Sequence, residues 1–315
     1  MERIQPRLAV IMETELWPNL YRQCERRGVP LLLVSARLSA KSVSRYRHFG
    51  SLMRGIFSAT SAVAAQTAVD AERFAAIGAP KDKISVGGNI KFDLELGAGT
   101  ADAGRALRDF FGSSRPVWIA GSTHAGEEAE VLAAHAQLPP DALLLLVPRH
   151  PNRFEEVAKL LSASGLSFVR RSGGAAPDGG VRVVLVDSVG ELAALYAAAD
   201  VAFVGGSLVP IGGHNLLEPA ALGLPVLTGP FTANGREIAQ LLLTQGAALQ
   251  VADARGLGDA VRRLLADPEE RRRMGAIGRQ IVESNRGSVA RLLALIEPLL
   301  DPAEKSTAER PSAAR

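Results

Sequence analysis

Residues 205–230 read GGSLVPIGGHNLLEPAALGLPVLTGP. An apolar run, 201–204 (VAFV), leads into Gly205-Gly206-Ser207, and a second pair, Gly212-Gly213, meets His214-Asn215. Leu216 to Gly223 then reads as one short helix, followed at once by an apolar strand from Pro225 to Leu227. Glycines let the backbone approach a ligand closely and adopt positive φ. The N–H groups at a helix start, with the dipole behind them, favour an anion such as phosphate. Glu218 sits one turn into that helix, where a carboxylate accepts hydrogen bonds from sugar hydroxyls. This is the form of a nucleotide-sugar site at the carboxyl end of a parallel sheet. An ordinary turn between two strands would need only one of the glycine pairs, and neither the Asn cap nor the Glu.

The sequence on either side alternates in the same way. Apolar runs suited to buried parallel strands lie at 117–120, 143–147, 166–169, 181–186, 201–204, 225–227 and 247–251. Amphipathic helical stretches separate them, at 126–137, 152–164, 190–199, 215–222 and 235–245, and 256–300 is helical throughout with breaks near Pro268 and Gly287. The first part alternates too, with strands at 8–12, 31–34, 62–65 and 84–86 and helices at 17–27, roughly 42–58, and 70–77. Strand–helix alternation of this kind predicts doubly wound parallel sheets. The expected division is a first domain over 1–96, a linker over 97–104, a second domain with terminal helices over 105–300, and a disordered tail over 301–315. A first domain with only four strands is short for a Rossmann-like half.

Composition narrows the function classes. At 315 residues and 47% hydrophobic, the chain can bury two medium cores. Aromatics at 5% argue against a stacking surface for nucleic acid. The single cysteine, Cys24, excludes an intrachain disulfide and a cysteine-based metal site, which fits a reducing compartment. No apolar run approaches a membrane span, and Met1-Glu2-Arg3 leads straight into a strand rather than a signal peptide, so the chain reads as soluble or peripheral. From Arg26 to Val69 there is no Asp or Glu, but there are seven cations: Arg26, Arg27, Arg37, Lys41, Arg45, Arg47 and Arg54. A solvated face usually mixes signs, so this stretch is expected to meet an anionic partner, either a membrane surface or a phosphorylated substrate.

Four further loops follow strands. Glu13-Thr14-Glu15-Leu16-Trp17-Pro18-Asn19 places carboxylates just past a strand's carboxyl end. Gly87-Gly88-Asn89-Ile90-Lys91-Phe92-Asp93 places a lysine where the first domain ends, suited to neutralising a phosphate or carboxylate. Gly121-Ser122-Thr123-His124 precedes a helix with small polar residues, so Ser122 and Thr123, with Gly206 and Ser207, are possible donor contacts. Pro148-Arg149-His150-Pro151 fixes a guanidinium between prolines, well placed for phosphate or a planar base. His124, His150 and His214 lack the spacing of a metal cage and read as loop hydrogen-bonders; no metal or cofactor is expected.

The segments VIMETELWPNL, SARLSAKS, GNIKFD, AGSTHAGEE, LVPRHPNRF and VGGSLVPIGGHNLLEPAALGLPVLTGP resemble, in order, those of the 3-deoxy-D-manno-octulosonic acid (Kdo) transferases, from Pro6 to about residue 300. The resemblance implies an α/β protein of GT-B type: two Rossmann-like doubly wound domains facing a cleft, the first incomplete at its N-terminus. It implies an inverting, metal-independent transfer of Kdo from CMP-Kdo to a lipid A precursor, in lipopolysaccharide biosynthesis at the cytoplasmic face of the bacterial inner membrane. Carried over residue by residue, it makes Glu13 and Lys91 transition-state stabilisers. It makes Pro148 and Arg149, Val189-Gly190-Glu191, and Asn215-Leu216-Leu217-Glu218 the CMP contacts, with Glu218 on the ribose.

Ser35 stands where the family usually has Asn, and Ala125 where it often has Glu. Family members also carry an anchoring helix and about half a domain ahead of the strand at Leu8. That part includes a Ser-Val-Gly-Glu stretch whose glutamate is the implied general base, expected to be absent here. The chain by itself is then expected to bind donor nucleotide but transfer poorly. Two other readings stand beside this one: a non-catalytic CMP-binding remnant, and a GT-B transferase or epimerase using a UDP-sugar.

Overall fold

The computed structural model describes residues 3–300; the tail over 301–315, with the disorder expected there, lies outside them. The chain forms two compact units, one made of Met1–Asp93 with Asn285–Arg315, the other of Leu94–Ser284.

In the first unit, β1 (Ala9–Met12), α1 (Pro18–Arg26), β2 (Leu31–Ala36), α2 (Ala40–Arg47), α3 (Gly50–Ser58), β3 (Ala62–Ala65), α4 (Ala68–Ala76) and β4 (Ile84–Val86) alternate. The strands form one parallel sheet in the order β1-β2-β3-β4. All six residues of β2 are buried, as its apolar run LLLVSA requires of a central strand. Pro18 opens α1 in the first turn, where its missing N–H costs nothing. Ser39 and Thr67 cap α2 and α4 through their side chains. The single helix expected over 42–58 is two helices. The first has no fully buried residue, whereas the second buries Met53, Ile56 and Phe57, so the chain turns between them and leaves Phe49 exposed. One face of the sheet packs Leu31, Leu33, Phe57 and Phe74, the two rings edge to face at 6.1 Å.

The second unit runs α5 (Thr100–Phe111), β5 (Val117–Thr123), α6 (Glu127–Ala136), β6 (Leu143–Pro148), α7 (Phe154–Ser164), β7 (Phe168–Arg170), β8 (Val183–Leu185), α8 (Leu192–Ala198), β9 (Val201–Val204), α9 (Leu217–Ala221), β10 (Val226–Thr228), α10 (Arg236–Gln245), β11 (Ala248–Gln250), α11 (Ala254–Ala266) and α12 (Pro268–Ser284). Its sheet is parallel throughout, in the order β11-β10-β9-β5-β6-β8-β7. Helices cover both faces, over two separate cores: one around Trp118, Leu144 and Phe203, the other around Ile119, Leu145 and Ala202. That is the doubly wound fold expected from the alternation.

Two boundaries differ from the expectation. Part of the stretch read as a linker, 97–104, is the first turn of α5: a Cβ on Gly104 would lie 2.4 Å from that of Ala197, so this glycine closes α5 onto α8 rather than loosening the chain. The last helix, α13 (Ser288–Leu300), belongs to the first unit, not the second. Its Leu292 packs on Leu32, Val34 and Ala64, the apolar face of the four-stranded sheet that needs a cover. Asp93 holds the start of α13 through the N–H groups of Gly287 and Val289, and Arg291 Nε donates to Gly87 O at 3.1 Å.

A buried polar contact crosses the core of the second unit. Trp118 Nε1 donates to His135 Nδ1 at 3.0 Å, so Nε2 carries the imidazole proton and donates to Arg182 O at 2.9 Å. Burial, reinforced by the Arg182 charge, pushes His135 down to about 3. The unfolded chain binds a proton near pH 6.5 that the folded chain refuses, so this contribution to stability is complete above that pH and is lost as pH falls towards 3. Lowering the pH from 7 to 5 should therefore remove about 2 kcal/mol of unfolding free energy in urea titrations. His135→Gln should flatten that dependence, and an equal fall in the variant would show that another group carries it.

Candidate functional site

The second sheet changes direction between β5 and β9, which are neighbours although the chain runs from one of them to β6 and from the other to β10. Crevices for ligands open at the carboxyl ends of strands at such a point. Here Ser122-Thr123-His124 meets Gly205-Gly206-Ser207. The contact requires glycine: a Cβ on Gly205 would lie 2.6 Å from Ser122 O and 2.9 Å from Glu127 Oε2. The loop does bind an anion, but it is one of the chain's own. The Glu127 carboxylate is fully buried and accepts four backbone N–H groups: Gly206 (2.6 Å) and His124 (3.1 Å) on Oε2, Ser207 and Leu208 (both 2.8 Å) on Oε1.

The possible donor contacts at 206–207 are thereby largely committed. The Ser207 hydroxyl donates to Val204 O and accepts from Gly229 N, and Thr123 is wholly buried. Of this group, Ser122 lines an open space. Sequence reasoning missed Glu127. Its position in the first turn of α6 looks like a helix-dipole carboxylate, and only the fold shows that it reaches across to the β9 loop.

That space is a cavity of about 300 Å³ at the ends of β6 and β8. It gathers Ser122, Pro148 and Arg149 with Val189, Gly190 and Glu191, so two of the three predicted nucleotide segments converge. Arg149 is exposed, Val189 is 77% exposed, and the Ser188 hydroxyl is buried without a protein partner. Glu191 accepts Arg171 Nε at 3.2 Å and Nη2 at 3.0 Å, and the guanidinium lies 5.4 Å from the Phe110 ring centroid. Residues 188–191 spell Ser-Val-Gly-Glu, contrary to the expectation that no such stretch occurs in the chain. This copy lines the second unit's cavity, with its glutamate paired to arginine. Beneath it, Arg153 grips buried Glu128 at 2.5 and 3.2 Å. Burial opposes the charge of that arginine, but the bonds to Glu128 and Glu156 outweigh it and raise its pKa.

The third segment, 215–218, does not line the cavity. The helix there is only the five residues of α9, shorter than expected, so its dipole is small. Asn215 Oδ1 accepts Leu217 N and its Nδ2 donates to Glu218 Oε1, both at 3.1 Å. Leu216 and Leu217 point into the core, leaving Asn215 and Glu218 as a linked polar pair. Burial first, and then the Glu218 charge, raise the pKa of the enclosed Tyr196 phenol.

In the first unit, Glu13 and Lys91 meet although 78 positions apart: Lys91 Nζ lies 2.9 Å from Glu13 Oε1. Arg37, which sequence reasoning left within SARLSAKS, donates to Glu13 Oε2 through Nε and Nη2 at 3.0 Å. Burial raises the Glu13 pKa, but the Lys91 hydrogen bond and the Arg37 and Lys91 charges more than offset this, so the carboxyl lies below its ordinary range. A carboxylate held between two cations is a weak proton acceptor. Glu13 sits at φ 56° and Ser35 at φ 49°. Left-handed backbone suits Asn better than Ser, a physical sense for the Asn expected at 35. Asn89 links the cluster to the sheet, accepting Lys91 N at 3.0 Å and donating to Gln66, which in turn donates to Ser35 O.

The chain as a whole is similar to known proteins. A family model described as 3-deoxy-D-manno-octulosonic-acid transferase (kdotransferase) matches residues 1–94, and one for glycosyl transferases group 1 matches 177–281. The chain is 44% identical over 302 residues to the 3-deoxy-D-manno-octulosonic acid transferase of Haemophilus influenzae, covering 95% of this chain and 71% of that one. It belongs to the Kdo transferase family.

Among solved structures, the C-terminal CMP-Kdo binding domain of WaaA from Acinetobacter baumannii is 34% identical, covers 59% of this chain and 99% of that one, and gives a TM-score of 0.57. The UDP-GlcNAc 2-epimerase of Neisseria meningitidis, at 16% identity, covers 90% of this chain and 77% of that one with a TM-score of 0.52, a likeness of fold alone. The two Rossmann-like units of this family member are thus of the GT-B class.

Proposed function

We propose that the chain is an inverting, metal-independent glycosyltransferase that moves Kdo from CMP-Kdo to a lipid A precursor, in lipopolysaccharide core biosynthesis at the cytoplasmic face of the bacterial inner membrane. One observation carries the donor assignment. The cavity lined by Pro148, Arg149 and Val189–Glu191 lies in the second unit, and 59% of the chain is matched, at 34% identity, by a solved CMP-Kdo binding domain. As the bond from the anomeric carbon to phosphate breaks, positive charge grows on the sugar ring and negative charge on the phosphate. Fixed charges at such positions stabilise the change most where water is excluded. Arg149 takes the nucleotide's negative charge, the Asn215–Glu218 pair takes the ribose hydroxyls, and Glu13 and Lys91 stabilise the transition state, as the family resemblance implies.

CMP should raise the melting temperature of the chain, with UMP and UDP giving much smaller shifts. Arg149→Ala or Glu218→Ala should weaken CMP about tenfold or more, the loss of one hydrogen bond to a charged group. Unchanged CMP affinity in both variants would sink the assignment.

The membrane surface enters the proposal through the acid-free stretch. Lys41, Arg45, Arg47 and Arg54 are exposed beside exposed Phe49, whereas Arg37 is committed to Glu13. No helix among the described residues is long and apolar enough to cross a membrane. Co-sedimentation with vesicles should require anionic lipid and weaken with salt, since exposed charges are screened beyond about 8 Å at physiological ionic strength. Equal binding to neutral vesicles would count against it.

A further inference from the structure

Beside the nucleotide cavity, two histidines from different loops meet. His124 Nε2 and His214 Nε2 are 2.7 Å apart, with ring planes 7° apart and centroids at 4.9 Å. Parallel faces in contact stay about 3.5 Å apart, so these rings meet end to end, near one plane, through a hydrogen bond. His150, which lines the cavity, stands edge-on to His124 at 5.2 Å. Gly206 leaves the room the pair needs: a Cβ there would lie 3.0 Å from the His214 ring.

The bond dictates the proton count. One Nε2 must carry hydrogen and the other must be bare. In the neutral pair the accepting ring carries its hydrogen on Nδ1, and the donating ring has a bare Nδ1. One added proton fills that site, keeps the Nε2 bond, and leaves both rings with an Nδ1–H donor. A second proton would place hydrogen on both Nε2 atoms and break the contact. The pair is therefore built to hold one positive charge. Among the described residues neither Nδ1 has a protein partner.

We propose that the His124–His214 pair is a phosphate subsite of the nucleotide site, taking up one proton from solution when a phosphomonoester anion binds beside it. This rests on the CMP reading above. The charges around the pair explain why it waits for the anion. Burial lowers the pKa of both rings, His214 to about 4. His214 also faces the charges of His124, Arg149 and His150, and His124 those of His150 and Arg153. Glu127 and Glu128 act in the opposite sense on His124, but both are already engaged, Glu127 by four backbone N–H groups and Glu128 by Arg153. A phosphate dianion adds the missing negative charge, and the protonated pair then presents a donor on whichever ring faces it.

The experiment is calorimetric titration of the full chain with 5′-CMP and with cytidine at pH 8, in buffers of different ionisation enthalpy. The wild type should take up about one proton with CMP and none with cytidine. His214→Gln and His124→Gln retain a polar group but no titrating ring. Each should abolish the uptake and weaken CMP about tenfold, the worth of a charge-assisted hydrogen bond. Cytidine affinity should stay within about twofold of wild type. CMP binding without proton uptake, or equal uptake in both variants (the proton then residing on the phosphate), would overturn the subsite while leaving the CMP reading intact. Failure of both ligands to bind the wild type would overturn both.

Discussion

Replacing Glu127 with alanine should destabilise the second unit by at least about 4 kcal/mol, because each buried donor left without a partner costs about 1–3 kcal/mol. Four backbone N–H groups lose their acceptor at once, three of them consecutive in the β9 loop. Glu127→Gln should be nearly as costly: its amide N–H₂ would face backbone N–H groups instead of accepting from them. The packing around Gly205 leaves no room for the loop to relax towards the strand. The folded fraction of either variant should also bind CMP poorly, since the loop carries one wall against His214. Urea unfolding followed at the buried Trp118 reads the first effect and calorimetry the second. A loss below about 1 kcal/mol in both variants would mean that the carboxylate does not organise the loop.

The other large effect lies in the first unit. Lys91→Ala should reduce Kdo turnover by about 10²–10³-fold, the range for removing one preorganised electrostatic stabiliser. CMP affinity should be unchanged, because the cavity proposed for the nucleotide is lined wholly by the second unit. Glu13→Gln should give a similar loss, and the double variant little more than either alone, because the two side chains share one ion pair. Turnover of Lys91→Ala within about threefold of wild type, measured with CMP-Kdo and a lipid A precursor, would remove the cluster from the catalytic proposal. Fully additive losses would show that the two residues act separately.

The fold class was legible because parallel strands buried on both faces appear as short continuous apolar runs, and LLLV at 31–34, LLLL at 143–146 and VAFV at 201–204 are that pattern undiluted. Boundaries set by distant contacts were less so. Nothing in 285–300 says which sheet it covers; the bare face formed by Leu32, Val34 and Ala64 decides it. Gly97 to Gly104 looks like a flexible connection until Ala197 is seen pressed against Gly104.

The same division holds at the site. By itself the sequence pointed to strand-end loops rich in glycine, proline and fixed charge as the candidate site, and residue types in those loops singled out Glu13, Lys91 and Arg149, whereas 189–191 entered only through the family resemblance. Tertiary structure alone decided which groups meet. Glu13, Arg37 and Lys91 are brought together from three loops, and His124 and His214 lie 90 positions apart. It also decided that the glycine loop's N–H groups are spent on Glu127. A carboxylate in the first turn of a helix has the same local signature whether it faces water, its own helix start or the next strand. Only the order of strands in the sheet, a property of long-range packing, tells these apart.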